Sequence, residues 1–140
     1  MWADGLRFDN VLLDTGSSST WLPANGGASS LRLAGGSAGR CVPQANFTHR
    51  YADGSFVRGV CCFTELLVAG VRFNQTIGAA THVAEESHMQ AAGLSMAGGV
   101  LSLSPADESS FTPLLSAAPH DSRFLTLCVP RRHHGYQARL

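Results

Sequence analysis

The chain has 140 residues, a length that suits a single domain with a buried core over residues 1–140. Ten acidic and ten basic residues cancel and no long run of one charge occurs, so nothing indicates a nucleic-acid or anionic-membrane partner. No stretch approaches the roughly 20 apolar residues of a membrane span, so we expect no membrane segment.

The predicted elements in the first half of the chain are strands. Residues 8–14 alternate between apolar and polar and then become apolar, which predicts a strand that enters a core. Residues 47–51 and 55–64 are rich in aromatic and β-branched residues and predict two further strands. The pair Asp53-Gly54 between them predicts a tight hairpin, because Gly adopts a positive φ without steric cost.

The second half of the chain continues this pattern. Ala69-Gly70 lies between two apolar segments and predicts a second hairpin, and residues 75–83 predict the strand that follows it. Residues 100–103 are a candidate buried strand, and residues 109–117 predict a short helix from a Ser cap and helical apolar spacing. Weaker signals predict a Gly-rich loop over 24–39, a polar and weakly helical stretch over 84–97, and an alternating segment over 123–129. We therefore expect an all-β fold with one or two short helices.

The chain contains four cysteines: Cys41, Cys61, Cys62 and Cys128. Four cysteines allow three pairings, and the sequence does not choose among them. Neighbouring residues on a strand point to opposite faces, which disfavours a bond between Cys61 and Cys62. No Cys-x-x-Cys with a matching Cys or His pair occurs, so we expect no structural zinc site. We also expect no other metal and no cofactor.

The residues around Asp14 form the pattern of a functional carboxylate with a supporting loop. A buried carboxylate is tolerated only when hydrogen bonds or neighbouring charges compensate for its lost hydration. Gly16 lets the backbone approach closely, and Ser17 can donate its hydroxyl to the carboxylate. Thr15 can turn its hydroxyl to the backbone of a facing loop. For an Asp-Thr-Gly triplet alone, the competing interpretation is an Asp that begins an ordinary turn after a strand.

Residues 13–23, Leu-Asp-Thr-Gly-Ser-Ser-Ser-Thr-Trp-Leu-Pro, resemble the active-site motif of the pepsin-like aspartic peptidases (family A1) over its whole length. Residues 51–55, Tyr-Ala-Asp-Gly-Ser, are similar to the tip of the family's flap hairpin and follow Asp14 at close to the family's separation. Further similarity, to the strands after the flap, is found at Gly59, residues 66–70 and residues 74–78. The resemblance implies a pepsin-like acid protease lobe, which is a partial double-psi β-barrel.

The resemblance also implies a role for each matching residue. Asp14 would be one half of a catalytic carboxylate pair that binds the attacking water, with Trp21 holding the hydroxyl of the flap residue Tyr51. Tyr51 would close over the substrate, and Gly54 and Ser55 would offer hydrogen bonds to an extended polypeptide. From the residues alone, Tyr51 could instead be a solvent-facing hairpin residue and Trp21 an anchor of the core.

The mechanism of such an enzyme needs two carboxylates. Two like charges close together do not ionise equally, so one ionised Asp activates water while its protonated partner polarises the peptide carbonyl. Only one Asp-Thr-Gly or Asp-Ser-Gly triplet occurs here. The resemblance therefore implies an N-terminal lobe that lacks its first strands and the C-terminal lobe. A second lobe or a homodimer partner would supply the second Asp.

The sequence departs from the family at residues 98–104, where the family prefers Asp-Gly-Ile-Leu-Gly-Leu-Gly. Ser102 and Ser104 replace two of these glycines, and we expect strain beneath Asp14 if the glycines are needed for close packing. Residues 124–130 resemble a plant-type stretch whose cysteine forms a disulfide, which implies a Cys41–Cys128 pair.

Three hypotheses about function follow from the sequence. The first is an aspartic endopeptidase, which the family places in secreted or vacuolar compartments. The second is a catalytically inactive peptide-binding module on the same fold. The third is a truncated fragment that folds poorly.

Overall fold

The computed structural model describes residues 1–3, 6–24, 40–52, 54–84, 98–105 and 109–117. The strands in these ranges are β1 (Trp2–Ala3), β2 (Leu6–Arg7), β3 (Leu12–Asp14), β4 (Trp21–Pro23), β5 (Arg40–Arg50), β6 (Phe56–Val68), β7 (Val71–Ala84) and β8 (Val100–Ser102). One helix, α1 (Phe111–Ala117), follows them in the described part of the chain. The described residues form one mixed sheet and a short helix, in agreement with the predicted all-β class.

The centre of the sheet is an antiparallel unit of three long strands, β5, β6 and β7. The β5–β6 hairpin closes where the Gly54 N–H donates to the Tyr51 carbonyl oxygen at 3.0 Å, with Gly54 at φ 89°. The β6–β7 hairpin closes through Ala69 at φ 49° and Gly70 at φ 85°. Two positive φ values are the signature of a two-residue type I′ turn, whose twist matches the flanking strands. Both predicted hairpins are confirmed.

β8 lies between two strands that are consecutive in the chain. The sheet order is β2-β1-β6-β7-β4-β8-β3, with β5 paired to β6 beside this path. β3 and β8 are parallel, with Asp14 opposite Ser102, whereas β4 is antiparallel to β8, with Trp21 opposite Val100. The loop over residues 15–20 therefore passes around the carboxyl end of β8 to join β3 to β4.

Two buried apolar clusters pack on the sheet. The larger cluster contains Phe8, Leu22, Leu66, Phe73, Ile77 and Leu101 among its members. The second cluster contains Trp21, Phe47, Val57, Ala80 and Val100, with Tyr51, Cys61 and Val83 packed against it. Trp21 and Leu22 are neighbours on β4 but belong to different clusters. Because successive side chains of a strand point to opposite faces, the clusters lie on opposite faces of the sheet.

The strand predicted over residues 8–14 is shorter in the structure. β3 covers only Leu12–Asp14, and Asn10 before it adopts φ 56°. Asn tolerates this left-handed conformation better than most residues, and it interrupts an extended strand. The loop predicted over 24–39, the weakly helical stretch over 84–97 and the alternating segment over 123–129 lie almost wholly outside the described residues.

A disulfide joins the two strands of the first hairpin. Cys41 on β5 is bonded to Cys62, its direct partner in the β5–β6 register. This corrects the pairing of Cys41 with Cys128, which lies outside the described residues. Within the described part of the chain Cys61 is a free thiol, half-buried against the second cluster.

Candidate active site

Asp14 is the last residue of β3, at the edge of the sheet that the described residues form. Its half-buried carboxylate accepts a hydrogen bond from the Gly16 N–H to Oδ1 at 2.9 Å. Its backbone carbonyl oxygen accepts from the Leu103 N–H at 2.7 Å. The side chain is thus held by its own loop, and the backbone beneath it is held by the end of β8.

Ser17 does not make the hydrogen bond to Asp14 that the sequence predicts. Its Oγ is buried and has no hydrogen-bond partner among the described residues. A buried hydroxyl without a hydrogen bond costs about 1–3 kcal/mol, so this position of the Ser17 side chain is unfavourable. Thr15 and Gly16 are exposed beside it at the edge of the sheet. Among the described residues, the donor to this carboxylate is therefore the Gly16 N–H and not the predicted Ser17 hydroxyl.

Trp21 and Tyr51 are brought together from different strands. The Trp21 indole Nε1–H donates to the Tyr51 hydroxyl oxygen at 2.7 Å, across 30 residues of sequence. Trp21 is 2% exposed, and the half-buried Tyr51 ring packs on the second cluster, where it meets the His49 ring edge-on at 4.7 Å. Tyr51 is therefore not a solvent-facing hairpin residue. Trp21 both anchors the core and holds the tyrosine hydroxyl.

The turn of the first hairpin contains the two residues expected to bind a peptide. Gly54 is half-buried in the turn, and the Ser55 carbonyl oxygen accepts from the Tyr51 N–H at 2.9 Å. Ser55 is fully buried and has internal partners. Its hydroxyl is consequently not accessible to a peptide in this structure, and a role of Ser55 in substrate binding stays a prediction.

The register of β8 relates Asp14 to Trp21. Asp14 is opposite Ser102 and Trp21 is opposite Val100, two residues earlier on the strand between them. Residues two apart on a strand share a face, so Asp14, Trp21 and the second cluster lie on the same face of the sheet. With strands spaced about 4.8 Å apart, the backbones of Asp14 and Trp21 are separated by on the order of 10 Å.

A buried chain of polar side chains supports the loop from behind. Thr20 Oγ1 lies 2.8 Å from Ser102 Oγ and 2.5 Å from Ser110 Oγ, and it accepts the Ser102 N–H at 3.0 Å. Ser110 Oγ in turn donates to Gln75 Oε1 at 2.5 Å, and its N–H donates to Ser102 Oγ at 3.1 Å. The network ties the loop to β7, to β8 and to the start of α1. Sequence reasoning missed it, because no local pattern brings residues this far apart together.

The strain expected at Ser102 and Ser104 is absent. Neither serine has a positive φ, and the fully buried Ser102 has its hydroxyl in the network. The need for glycine instead lies just before β8. Gly99 has φ 128°, and a Cβ on Gly98 would lie 2.0 Å from the carbonyl oxygen of Asp9. The backbone beneath Asp14 is therefore built with serine at the two positions where the family prefers glycine.

A cavity of about 420 Å³ lies beside the loop. Residues from the loop, β5, β6, β7 and α1 line it, among them Ser19, Phe47, Cys61 and Gln75. Asp14 is not one of the lining residues. The carboxylate and this cavity are separate features, because Asp14 lies at the open edge of the sheet.

The described residues include no group of three or more His, Cys, Asp or Glu side chains placed to hold a metal ion. In the same part of the chain, no helix has the length and apolar character needed to cross a membrane. No protein-family model and no curated protein matches the chain.

Proposed function

We propose that this chain is a pepsin-like aspartic peptidase lobe that contributes Asp14 to a two-carboxylate site for peptide-bond hydrolysis. The hydrogen bond between Trp21 and Tyr51 is the observation that carries the proposal. The resemblance implied this bond from two short motifs, and the two side chains meet from separate strands. An accidental match of either motif would give no reason for that contact.

The strand order supports the same proposal. β8 lies between β3 and β4, so that the loop carrying Asp14 curves around a third strand. A strand inserted between two consecutive strands is the arrangement expected of half of a double-psi barrel. It holds the Asp14 loop by the backbone of β8, through the Leu103 N–H.

The edge position of Asp14 suits a site shared with a second unit. Thr15 and Gly16 are exposed there, so another loop can approach the carboxylate without displacing the core. A second Asp close to Asp14 would separate the pKa values of the two carboxyl groups. One would stay ionised and activate water. We propose that it comes from a second lobe or from a homodimer partner, with no metal or cofactor.

Peptide cleavage at acid pH, with and without a pepstatin-type inhibitor, tests the proposal. Asp14→Asn is the matched variant, because an amide oxygen at this position still accepts the Gly16 N–H and preserves the loop. We expect inhibitor-sensitive cleavage by the wild-type chain and none by Asp14→Asn. Cleavage that rises with the square of protein concentration would identify the homodimer. Absence of cleavage at every concentration would exclude an enzyme that works without another chain.

One observation favours a peptide-binding module as the second candidate. Ser17 leaves its hydroxyl unpaired rather than bonded to Asp14, so the carboxylate lacks a side-chain donor among the described residues. A binding module would hold an extended peptide without cleaving it. Its signature would be peptide affinity that survives Asp14→Ala, with no turnover by the wild-type chain.

A further inference from the structure

The first hairpin, composed of β5, residues 51–55 and β6, carries a group of cationic side chains near its turn. Arg50 on β5 is directly opposite Phe56 on β6, and Arg58 on β6 is directly opposite His82 on β7. Residues opposite each other share a face of the sheet, as do residues two apart on one strand. Arg50, Phe56, Arg58 and His82 therefore lie on one face, which we call the cationic face.

The cationic face points away from the second cluster. Val57, the neighbour of Phe56, is fully buried in that cluster, and Tyr51, the neighbour of Arg50, packs against it. Because successive residues of a strand alternate between faces, Phe56 and Arg50 point outward. The Arg50, Arg58 and His82 side chains are exposed and Phe56 is half-buried. Asp14 and this surface thus occupy different parts of the molecule.

Phe56 lies at the centre of the cationic face. The Arg50 guanidinium carbon is 5.6 Å from the centre of the Phe56 ring, within the range of a cation–π contact. The His82 ring centre is 5.8 Å from that of Phe56. An aromatic ring is therefore flanked by N–H donors, with apolar area in the middle and hydrogen-bond donors at its edge.

The arginines of this face differ from Arg7 and Arg72, which form ion pairs elsewhere in the described part of the chain. Arg7 contacts Asp9 at 2.8 Å, and Arg72 contacts Glu65 at 2.7 Å. Arg50 and Arg58 form no ion pair with any described residue. Two unpaired guanidiniums on one small surface leave positive charge that an acidic partner can neutralise.

We propose that the cationic face binds an acidic, extended segment of a polypeptide, with carboxylates on alternate residues that face Arg50 and Arg58. Arg50 and Arg58 occupy diagonal positions on adjacent strands, which are about 7–8 Å apart. Alternate residues of an extended peptide are about 6.6 Å apart, so two carboxylates on one peptide face can meet both guanidiniums. The chain has a net charge of zero, which supplies no long-range attraction for a nucleic acid. This binding is independent of the proposed peptidase chemistry at Asp14.

Fluorescence anisotropy with a labelled peptide of sequence Glu-Leu-Glu-Leu-Glu, at low salt and neutral pH, tests the proposal. The control peptide replaces each Glu with Gln. We expect the Glu peptide alone to bind, and its affinity to fall as salt screens the exposed charges. The double variant Arg50→Gln/Arg58→Gln should weaken binding by at least about fivefold, since each exposed ion pair contributes modestly. The fold of each variant is checked by circular dichroism.

Arg7→Gln/Arg72→Gln is the matched control, because it removes the same charge from arginines that are already paired. It should leave peptide affinity within about twofold of wild type. Equal losses in the two double variants would overturn the proposal, and so would tighter binding of an oligonucleotide of equal charge. Glu85 and Glu86 follow β7 in the sequence. If only Glu85→Gln/Glu86→Gln binds the peptide, the chain's own carboxylates occupy this face and the proposal is wrong.

Discussion

The Trp21 indole N–H donates to the Tyr51 hydroxyl at 2.7 Å, and this bond fastens the first hairpin to the strand that follows the Asp14 loop. Trp21 is buried in the second cluster and the half-buried Tyr51 packs against it, so the bond is partly shielded from water. The bond therefore adds a side-chain link to the β6–β7 pairing that already holds the hairpin, and its donor and acceptor can be removed separately.

A double-mutant cycle with Trp21→Phe and Tyr51→Phe measures that bond. We expect Tyr51→Phe to destabilise the fold by about 1 kcal/mol, because it removes the hydroxyl and leaves the indole N–H unpaired. Trp21→Phe should cost more, since it also leaves a cavity at a fully buried position. Urea unfolding of the four proteins should give a coupling energy of about 1 kcal/mol. Purely additive effects would show that the bond contributes nothing to stability.

Thr20→Val should destabilise the fold by about 1–3 kcal/mol although it preserves side-chain shape. The change removes the acceptor of the buried Ser102 N–H and a partner of the Ser110 hydroxyl. Thr48→Val is the control, because Thr48 is exposed on β5. It should change the free energy of unfolding by less than about 0.5 kcal/mol. Similar values for the two variants, measured by urea unfolding, would contradict a stabilising network.

Reduction of the Cys41–Cys62 disulfide should lower stability by about 3 kcal/mol. The bond joins cysteines with a sequence separation of 21. Closing a loop of this size lowers the entropy of the unfolded chain, which is worth about 3 kcal/mol of stability. Thermal unfolding with and without a reductant measures the change. Cys61→Ala should show the same dependence on reductant as wild type, because Cys61 is outside the bond. A wild-type midpoint unaffected by reductant would contradict the pairing.

Gly59→Ala should be far more damaging than Gly70→Ala. A Cβ on Gly59 would lie 1.9 Å from the carbonyl oxygen of Ala79 on the neighbouring strand, so the backbones must separate. We expect a loss of about 3 kcal/mol or failure to fold. Gly70 has φ 85° with nothing near its Cβ position, so its alanine variant should lose only about 1 kcal/mol. The reverse order of melting temperatures would refute this account of the β6–β7 contact.

The sequence predicted the local elements of this fold better than its long-range contacts. Asp53-Gly54 and Ala69-Gly70 identified both hairpins, because the conformation of a tight turn depends on the few adjacent residues that form it. The helix predicted over residues 109–117 begins two residues later, at Phe111. The very short strands β1 and β2 were not predicted, because two-residue strands carry no readable alternation.

In the candidate site, too, the sequence predicted local features better than contacts between distant residues. Asp14, Trp21 and Tyr51 were found from motifs, and their relative placement required the register of β8. The pairing of Cys41 was misassigned, because the correct choice depends on which residue lies opposite it on β6. The expectation of strain at Ser102 was also wrong, because it depended on contacts between residues far apart in sequence. Its hydroxyl partners, Thr20 and Ser110, are distant in sequence and could not be foreseen.

The insertion of β8 between β3 and β4 also determines when the Asp14 loop can become ordered during folding. Thr20 and Ser102, which bond across that insertion, are separated by 82 residues of sequence. Contacts of such long range form slowly, because the entropy of closing the loop must be lost first. Synthesis on the ribosome proceeds at about 5–20 residues per second, so β8 is made several seconds after β3 and β4. The loop that carries Asp14 is thus synthesised early and fixed late, so we expect the Asp14 loop of a nascent chain to reach its folded conformation only after β8 has emerged.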